Sequence, residues 1–328
     1  MADISTSYMG MELKNPIIVG SSGLTNSLEN IKEIAEKGAG AVVLKSLFEE
    51  QILHEANKTY SQDEVANAYP EAQDYITNYT RDSEVEAYLQ LIKDAKSAVD
   101  IPVIASINCI SSSEWISFAK KIEDAGADGL ELNIFILPSN PQRGAAENES
   151  VYFEIAEKVT KLISIPVALK ISYYFSGLAK MALKLSWTGI SGMVLFNRFF
   201  SPDIDIDTFE VKPSNVFSTA DEISLPLRWT AMLSNRLHCD IAASTGVHDG
   251  EGLIKLLLAG ARAVQLSSIL YKNGFGEIPK MLKELEQWMD KHNFKDLEQV
   301  VGKMSIKKAK NPAAYERVQF MKYFSGIE

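Results

Sequence analysis

The sequence predicts an α/β protein of the (β/α)8 class, a TIM barrel, folded as one domain over residues 1–328. Three observations carry that expectation. Eight short apolar or β-branched runs are spread along the chain, each bounded by Gly, Pro or polar residues, as strands buried on both faces should be. Segments with helical spacing lie between them. The joints also recur. Ala125-Gly-Ala127 and Ala259-Gly-Ala261 end helices on glycine, while Ile101-Pro-Val103 and Ile165-Pro-Val167 stop a turn just before a strand. A length of 328 residues suits a single barrel. A doubly wound open sheet is the alternative.

In order, the predicted strands are 17–20, 41–45, 103–107, 129–133, 167–171, 192–196, 240–244 and 263–266. A helix over 28–37 ends at Gly38, and Ser112 or Ser113 caps another that runs through Phe118, Ala119 and Ile122 to Gly126. Helical spacing continues over 149–163, 178–185, 226–237, 251–258 and 277–292. Two loop insertions interrupt the alternation. Residues 48–84, after strand two, are polar and aromatic and long enough to form a lid. Residues 197–225, after strand six, include Asp203-Ile-Asp-Ile-Asp207, whose alternation predicts a short edge strand. The tail lysines Lys303, Lys307, Lys308 and Lys310 read as a solvated basic face.

Composition narrows the function. A formal net charge of −10 argues against a nucleic-acid surface. Two cysteines, Cys109 and Cys239, cannot ligate a four-thiolate cluster, and they point to a reducing compartment. His54, His238, His248 and His292 show no metal-ligand spacing, so no metal is expected. The start lacks the pattern of a signal peptide, and no apolar run reaches the ~18 residues of a membrane span. A cytoplasmic location without membrane contact is expected.

In such barrels the strand C-termini carry the chemistry. Ser244-Thr-Gly-Val247 after strand seven and Ser267-Ser268 after strand eight are small and polar, with backbone N–H groups able to meet a phosphate. Lys45 and Lys170 end strands two and five. A buried ammonium needs an anionic partner. For each lysine alone that partner could be a carboxylate such as Glu131; with the phosphate turns, the pair suggests an anionic cofactor that also accepts negative charge. A flavin fits. An aldolase using Lys170 as a Schiff base is a competing reading.

Asn15-Pro-Ile-Ile-Val-Gly-Ser-Ser22, Leu44-Lys-Ser46, Glu131-Leu-Asn133, Leu169-Lys170, Asn197, Ser244-Thr-Gly-Val247 and Gln265-Leu-Ser-Ser268 together resemble the dihydroorotate dehydrogenase family in order and spacing. The tail, Asp296-Leu-Glu-Gln-Val-Val-Gly-Lys303, is similar to that family's C-terminal element. The resemblance implies an FMN-dependent barrel that oxidises dihydroorotate to orotate in pyrimidine biosynthesis. It implies that Gly20, Ser21, Ser22, Lys45, Ser46, Asn133 and Lys170 contact the flavin, and that Ser244, Thr245, Gly246, Ser267 and Ser268 hold its phosphate. Lys45, Asn133 and Asn197 would meet a planar, pyrimidine-like substrate. A homodimer is implied, with a soluble electron acceptor such as fumarate or a separate partner subunit.

Three departures stand out. The family carries a Cys or Ser as the proton acceptor after strand four, but Asn133-Ile-Phe-Ile-Leu-Pro138 places Ile136 there. Ser139, three residues on, is the candidate replacement base, and Arg143 and Arg198 are candidate carboxylate clamps. Asp74-Tyr-Ile-Thr-Asn-Tyr79 does not match the family's substrate-loop motif, and Ser218-Thr-Ala-Asp-Glu222 replaces a glycine-rich turn. A flavin oxidoreductase for another cyclic or unsaturated carbonyl compound, or a flavin-binding protein without turnover, is therefore the alternative.

Overall fold

A computed structural model describes residues 2–50, 52, 84–112, 114–134, 136–198, 201–214 and 216–316. The chain opens with a small hairpin, β1 (Thr6–Tyr8) and β2 (Met11–Leu13). It then enters β3 (Ile17–Val19), α1 (Leu28–Glu36), β4 (Ala41–Val43) and the two-residue β5 (Leu47–Phe48). There follow α2 (Glu84–Ala98), β6 (Val103–Cys109), α3 (Phe118–Asp124), β7 (Gly129–Ile134), α4 (Ala145–Leu162), β8 (Val167–Ile171), α5 (Leu178–Leu185) and β9 (Gly192–Leu195). A second hairpin, β10 (Pro202–Ile204) with β11 (Val211–Pro213), precedes α6 (Ser224–Leu233), β12 (Asp240–Ser244), α7 (Gly250–Ala259) and β13 (Ala263–Leu266). The short α8 (Ser268–Asn273) and the amphipathic α9 (Glu277–Lys291) complete the ring.

Eight parallel strands run β4-β3-β13-β12-β9-β8-β7-β6, and pairing of β4 with β6 closes the barrel. The eight predicted strands are all present. Inside, side chains stack in layers, because alternate residues of a strand share a face. The lower layer is apolar: Ile18, Val43, Ile104, Ala168, Val194, Ala242 and Ala263, with Tyr8 and Met9 of the first hairpin packed against them. Two residues further along the same strands the interior turns polar, at Ser106, Lys170 and Gln265, joined by Glu131 from β7. The fold thus supplies an apolar floor beneath a polar mouth.

Several expectations need correction. α2 was not anticipated, although Val85, Tyr88, Leu89, Ile92 and Ala95 bury one helical face. Its Tyr88 hydroxyl accepts from Ser106 N at 2.7 Å and donates to Ser106 O at 3.1 Å. That phenol serves the β6 backbone just where β4 has ended. Residues 203–207 do not edge the barrel: Pro202–Ile204 pairs only with Val211–Pro213, in a separate, exposed arm. Most of the 48–84 insertion, including 74–79, lies outside the described residues. The predicted helix after Ser112 begins as a single 3-10 turn, Glu114–Ser117, before α3. In the tail, Lys307 Nζ donates to Asn235 O at 2.6 Å and Lys303 sits over the Phe294 ring, so two of its four lysines have protein contacts.

One joint predicts an acid dependence. Glu123, at the end of α3, accepts from Ser164 N at 2.7 Å, and also bonds Lys120 and the Ser164 hydroxyl. The Lys120 ammonium and the Ser164 donors hold its carboxyl down to about 2. A depressed folded-state value stabilises above the unfolded value of 4.5 and loses that contribution as pH falls toward about 2. Glu123→Gln is therefore expected to flatten the decline in urea midpoint across that window. A decline as steep as that of the parent would refute the assignment.

Candidate active site

Polar groups converge where β8, β9, β12 and β13 end. A cavity of about 180 Å³ is lined there by Ser21, Lys170, Phe196, Asn197, Arg198, Val216, Ser218, Ser244, Thr245, Gly246, Val247, Gln265, Ser267 and Ser268. Lys170 and the expected phosphate residues of strands seven and eight thus share one space.

The backbone at this cavity has an uncommon conformation. Thr245 and Gly246 both have positive φ, +82° and +79°. For a β-branched residue that conformation is strained, and such strain concentrates at functional sites. The Thr245 hydroxyl donates to Phe196 O at 3.2 Å, which holds the turn. The amides of Thr245, Gly246 and Val247 make no hydrogen bond to an acceptor among the described residues. A Cβ at Gly246 would lie 2.1 Å from Ile223 N, and one at Gly20 would lie 3.1 Å from Ser267 Oγ. Unpaired amides, hydroxyls and glycine-dependent close approach fit a phosphate.

Lys170 is 8% exposed and donates to Gln265 Oε1 at 3.0 Å. Gln265 Nε2 in turn donates to Glu131 Oε2 at 2.5 Å, and Glu131 Oε1 lies 3.5 Å from Lys170 Nζ. The carboxylate partner considered from sequence is present, and Lys170 still lines the cavity. Asn197 Nδ2 donates to Asn133 Oδ1 at 2.9 Å, so these two amides form one unit at the rim.

Lys45 lies elsewhere. With Ser46, Tyr88 and Glu84 it lines a neighbouring cavity of about 540 Å³ on the β4–α2 side. The spaces meet through hydroxyls: Ser46 Oγ pairs with Ser21 Oγ at 3.0 Å and with Ser106 Oγ at 2.8 Å. Ser22 is engaged in its own turn, donating from N to Thr25 Oγ1 at 3.3 Å.

The rebuilt side is less convergent. Ile136 is half-buried and packs on the core, and the Tyr152 phenol meets its backbone and the Ser172 hydroxyl. Burial pushes that phenol up to about 12. Ser139 and Leu137 are exposed, and neither lines the cavity. Arg143 pairs with Glu147 on α4 and does not line the cavity. Arg198 lines the cavity, but its Nε donates to Glu222 Oε1 at 2.8 Å and its guanidinium also reaches Val216 O. Burial opposes the Glu222 charge, yet Arg198 and the Thr219 amide hold its carboxyl below the usual range.

Sequence reasoning passed over Gln265 as a site residue and did not foresee Ser218 as a hub. The Ser218 amide donates to Ser268 Oγ at 3.0 Å, and its hydroxyl lies 3.2 Å from His248 Nε2. Its carbonyl accepts from Lys272 at 3.0 Å. Burial and then the Lys272 charge keep the His248 imidazole below its ordinary value. The alternating pattern of strand eight held the signal for Gln265, since Ala263 and Gln265 must share a face.

Known proteins are similar to this chain over most of its length. The dihydroorotate dehydrogenase family model matches residues 3–289. A Thermoplasma volcanium protein named dihydroorotate dehydrogenase B (NAD(+)), catalytic subunit, is 26% identical over 314 residues, covering 92% of this chain and 98% of the relative. A Methanocaldococcus jannaschii protein of the same name is 28% identical over 306 residues, covering 91% and 97%. An Aeropyrum pernix protein, provisionally named dihydroorotate dehydrogenase A (fumarate), is 26% identical over 309 residues, covering 92% and 97%.

Proposed function

The chain belongs to the dihydroorotate dehydrogenase family, and from that premise we propose that it is an FMN-dependent oxidoreductase acting on a CH–CH bond of a small planar ring. The observation that carries this reading is the single cavity joining Lys170 to the unpaired amides after β12. FMN bound there would supply the two-electron acceptor. The amides of Thr245, Gly246 and Val247, with the hydroxyls of Ser244, Ser267 and Ser268, hold the phosphate. Lys170 stabilises negative charge at the ring. Gly20, Ser21 and Ser22 line the ring from β3, and Ser46 extends that wall. Asn133, Asn197 and Lys45 orient a pyrimidine-like substrate. The apolar layer beneath keeps water from below.

Proton removal is the altered step. Isoleucine accepts no proton, so Ile136 leaves the family's base position without a base. Ser139 is our candidate acceptor, from an exposed loop. The test is anaerobic reduction of the FMN-loaded chain by dihydroorotate, read as bleaching of the flavin band. Ile136→Ser is expected to accelerate bleaching by about 10²–10⁴-fold, the worth of a positioned general base; Ser139→Ala is expected to slow the parent. No bleaching in any of the three would remove dihydroorotate as substrate. It would favour the second reading, an oxidoreductase for another cyclic or unsaturated carbonyl compound, which the apolar Ile136 supports.

For the electron acceptor we favour a separate partner subunit, since two relatives are named as catalytic subunits; a soluble acceptor such as fumarate is the other outcome. No helix among the described residues is long and apolar enough to cross a membrane. A homodimer is part of the proposal. What supports it is the β10–β11 arm, where Ile206 is 80% and Phe209 87% exposed. Ile206→Asp with Phe209→Asp is expected to halve the mass measured by light scattering. An unchanged mass would remove the arm as the contact.

A further inference from the structure

The buried carboxylate beneath the mouth is more than Lys170 needs for solubility in the core. Glu131 is 1% exposed, and its Oε1 has no hydrogen-bond partner among the described residues. An unsatisfied oxygen on a buried charge is costly, and a purely structural pair would close onto its partner. Here the ammonium is instead drawn toward Gln265, at 3.0 Å, and stands 3.5 Å from Glu131. The Gln265 amide is held in one sense, its oxygen toward Lys170 and its nitrogen toward Glu131. Lys170 also lines the cavity, so its remaining N–H groups face whatever lies there.

We propose that Glu131 is a positioning residue that sets the strength of the cationic site: through Gln265 it fixes Lys170 beneath the ring, and its charge offsets part of that lysine's. The inference rests on the flavin reading above. With Glu131 in place, negative charge on the ring is stabilised less than it would be by a lone lysine. Removing the carboxylate charge while keeping its shape therefore makes the bound ring easier to reduce.

The test uses the full FMN-loaded chain and its midpoint potential, a readout independent of turnover. Glu131→Gln is expected to shift the potential positive and Lys170→Met to shift it negative. In a Lys170→Met background the Glu131→Gln shift is expected to shrink to the carboxylate's direct effect on the ring, because the part exerted through the lysine is lost. Where Lys170→Met does not retain flavin, Gln265→Met cuts the bridge with both charges kept, and the Glu131→Gln shift is expected to shrink. Urea unfolding of the flavin-free chains supplies a second double-mutant cycle, in which non-additivity between Glu131→Gln and Lys170→Met or Gln265→Met is expected. An unchanged potential with flavin bound overturns the inference and leaves the flavin reading standing. So does a shift undiminished in the Lys170→Met background, or strict additivity in unfolding. Failure of the parent chain to bind flavin overturns the flavin reading, and with it any tuning of a ring, whatever the unfolding cycle shows.

Discussion

Replacing Lys170 by Met is expected to destabilise the chain by about 3–5 kcal/mol and to weaken flavin retention. Much of the loss comes from what the substitution leaves behind. Glu131 sits in the polar layer of the barrel, its Oε2 bonded to Gln265 and its Oε1 3.5 Å from the ammonium. Without Lys170 that carboxylate is an uncompensated charge, since the layer below is wholly apolar. The signature is partial rescue: Glu131→Gln added to Lys170→Met should recover stability, because the orphaned charge is gone. Flavin retention should not recover, since the cation is still missing. Urea midpoints of the four proteins check this; a single mutant as stable as the parent would show that the pair is not a buried unit.

Gly246→Ala is expected to have the second-largest effect. The φ of +79° costs a residue with a Cβ about 1–2 kcal/mol. The added carbon would also lie 2.1 Å from Ile223 N and 2.6 Å from Ile223 Cα. Backbone cannot yield as a side-chain tip can, so overpacking adds about 1–3 kcal/mol. The strain falls on the segment carrying Glu222, the partner of Arg198, and on the turn we propose to offer its amides to a phosphate. Stability and FMN affinity should therefore fall together. Gly126→Ala separates the two causes: its φ is +93° but nothing lies within 4 Å of the new carbon. It should show the smaller conformational loss alone and leave FMN binding intact.

The barrel was legible because its strands are buried on both faces and so appear as unbroken apolar runs, such as 17–19 and 41–43. The shared polar pocket after β12 and β13 was legible because small residues at strand ends have few structural reasons to cluster. α2 carries the same apolar spacing, but it directly follows a long polar insertion that masks where the helix begins. The exposed β10–β11 arm could not be placed, since alternation predicts a strand without saying which sheet it joins. The two lysines were expected to serve one site. Strand position fixes where each backbone emerges, yet the course of a long side chain depends on its neighbours. Lys170 is steered by Gln265 and Glu131 into the small cavity, whereas Lys45 lines the larger one.

We propose above all that the turns after β12 and β13 seat the phosphate of a flavin nucleotide. Fluorescence titration of the chain with FMN and, separately, with riboflavin tests it most directly, because the two ligands differ only in that phosphate. One FMN per chain is expected, bound at least about 100-fold more tightly than riboflavin, a difference of about 2.7 kcal/mol, and a Gly246→Ala chain in which that preference shrinks. Equal affinity for the two ligands, or no binding of either, would contradict it.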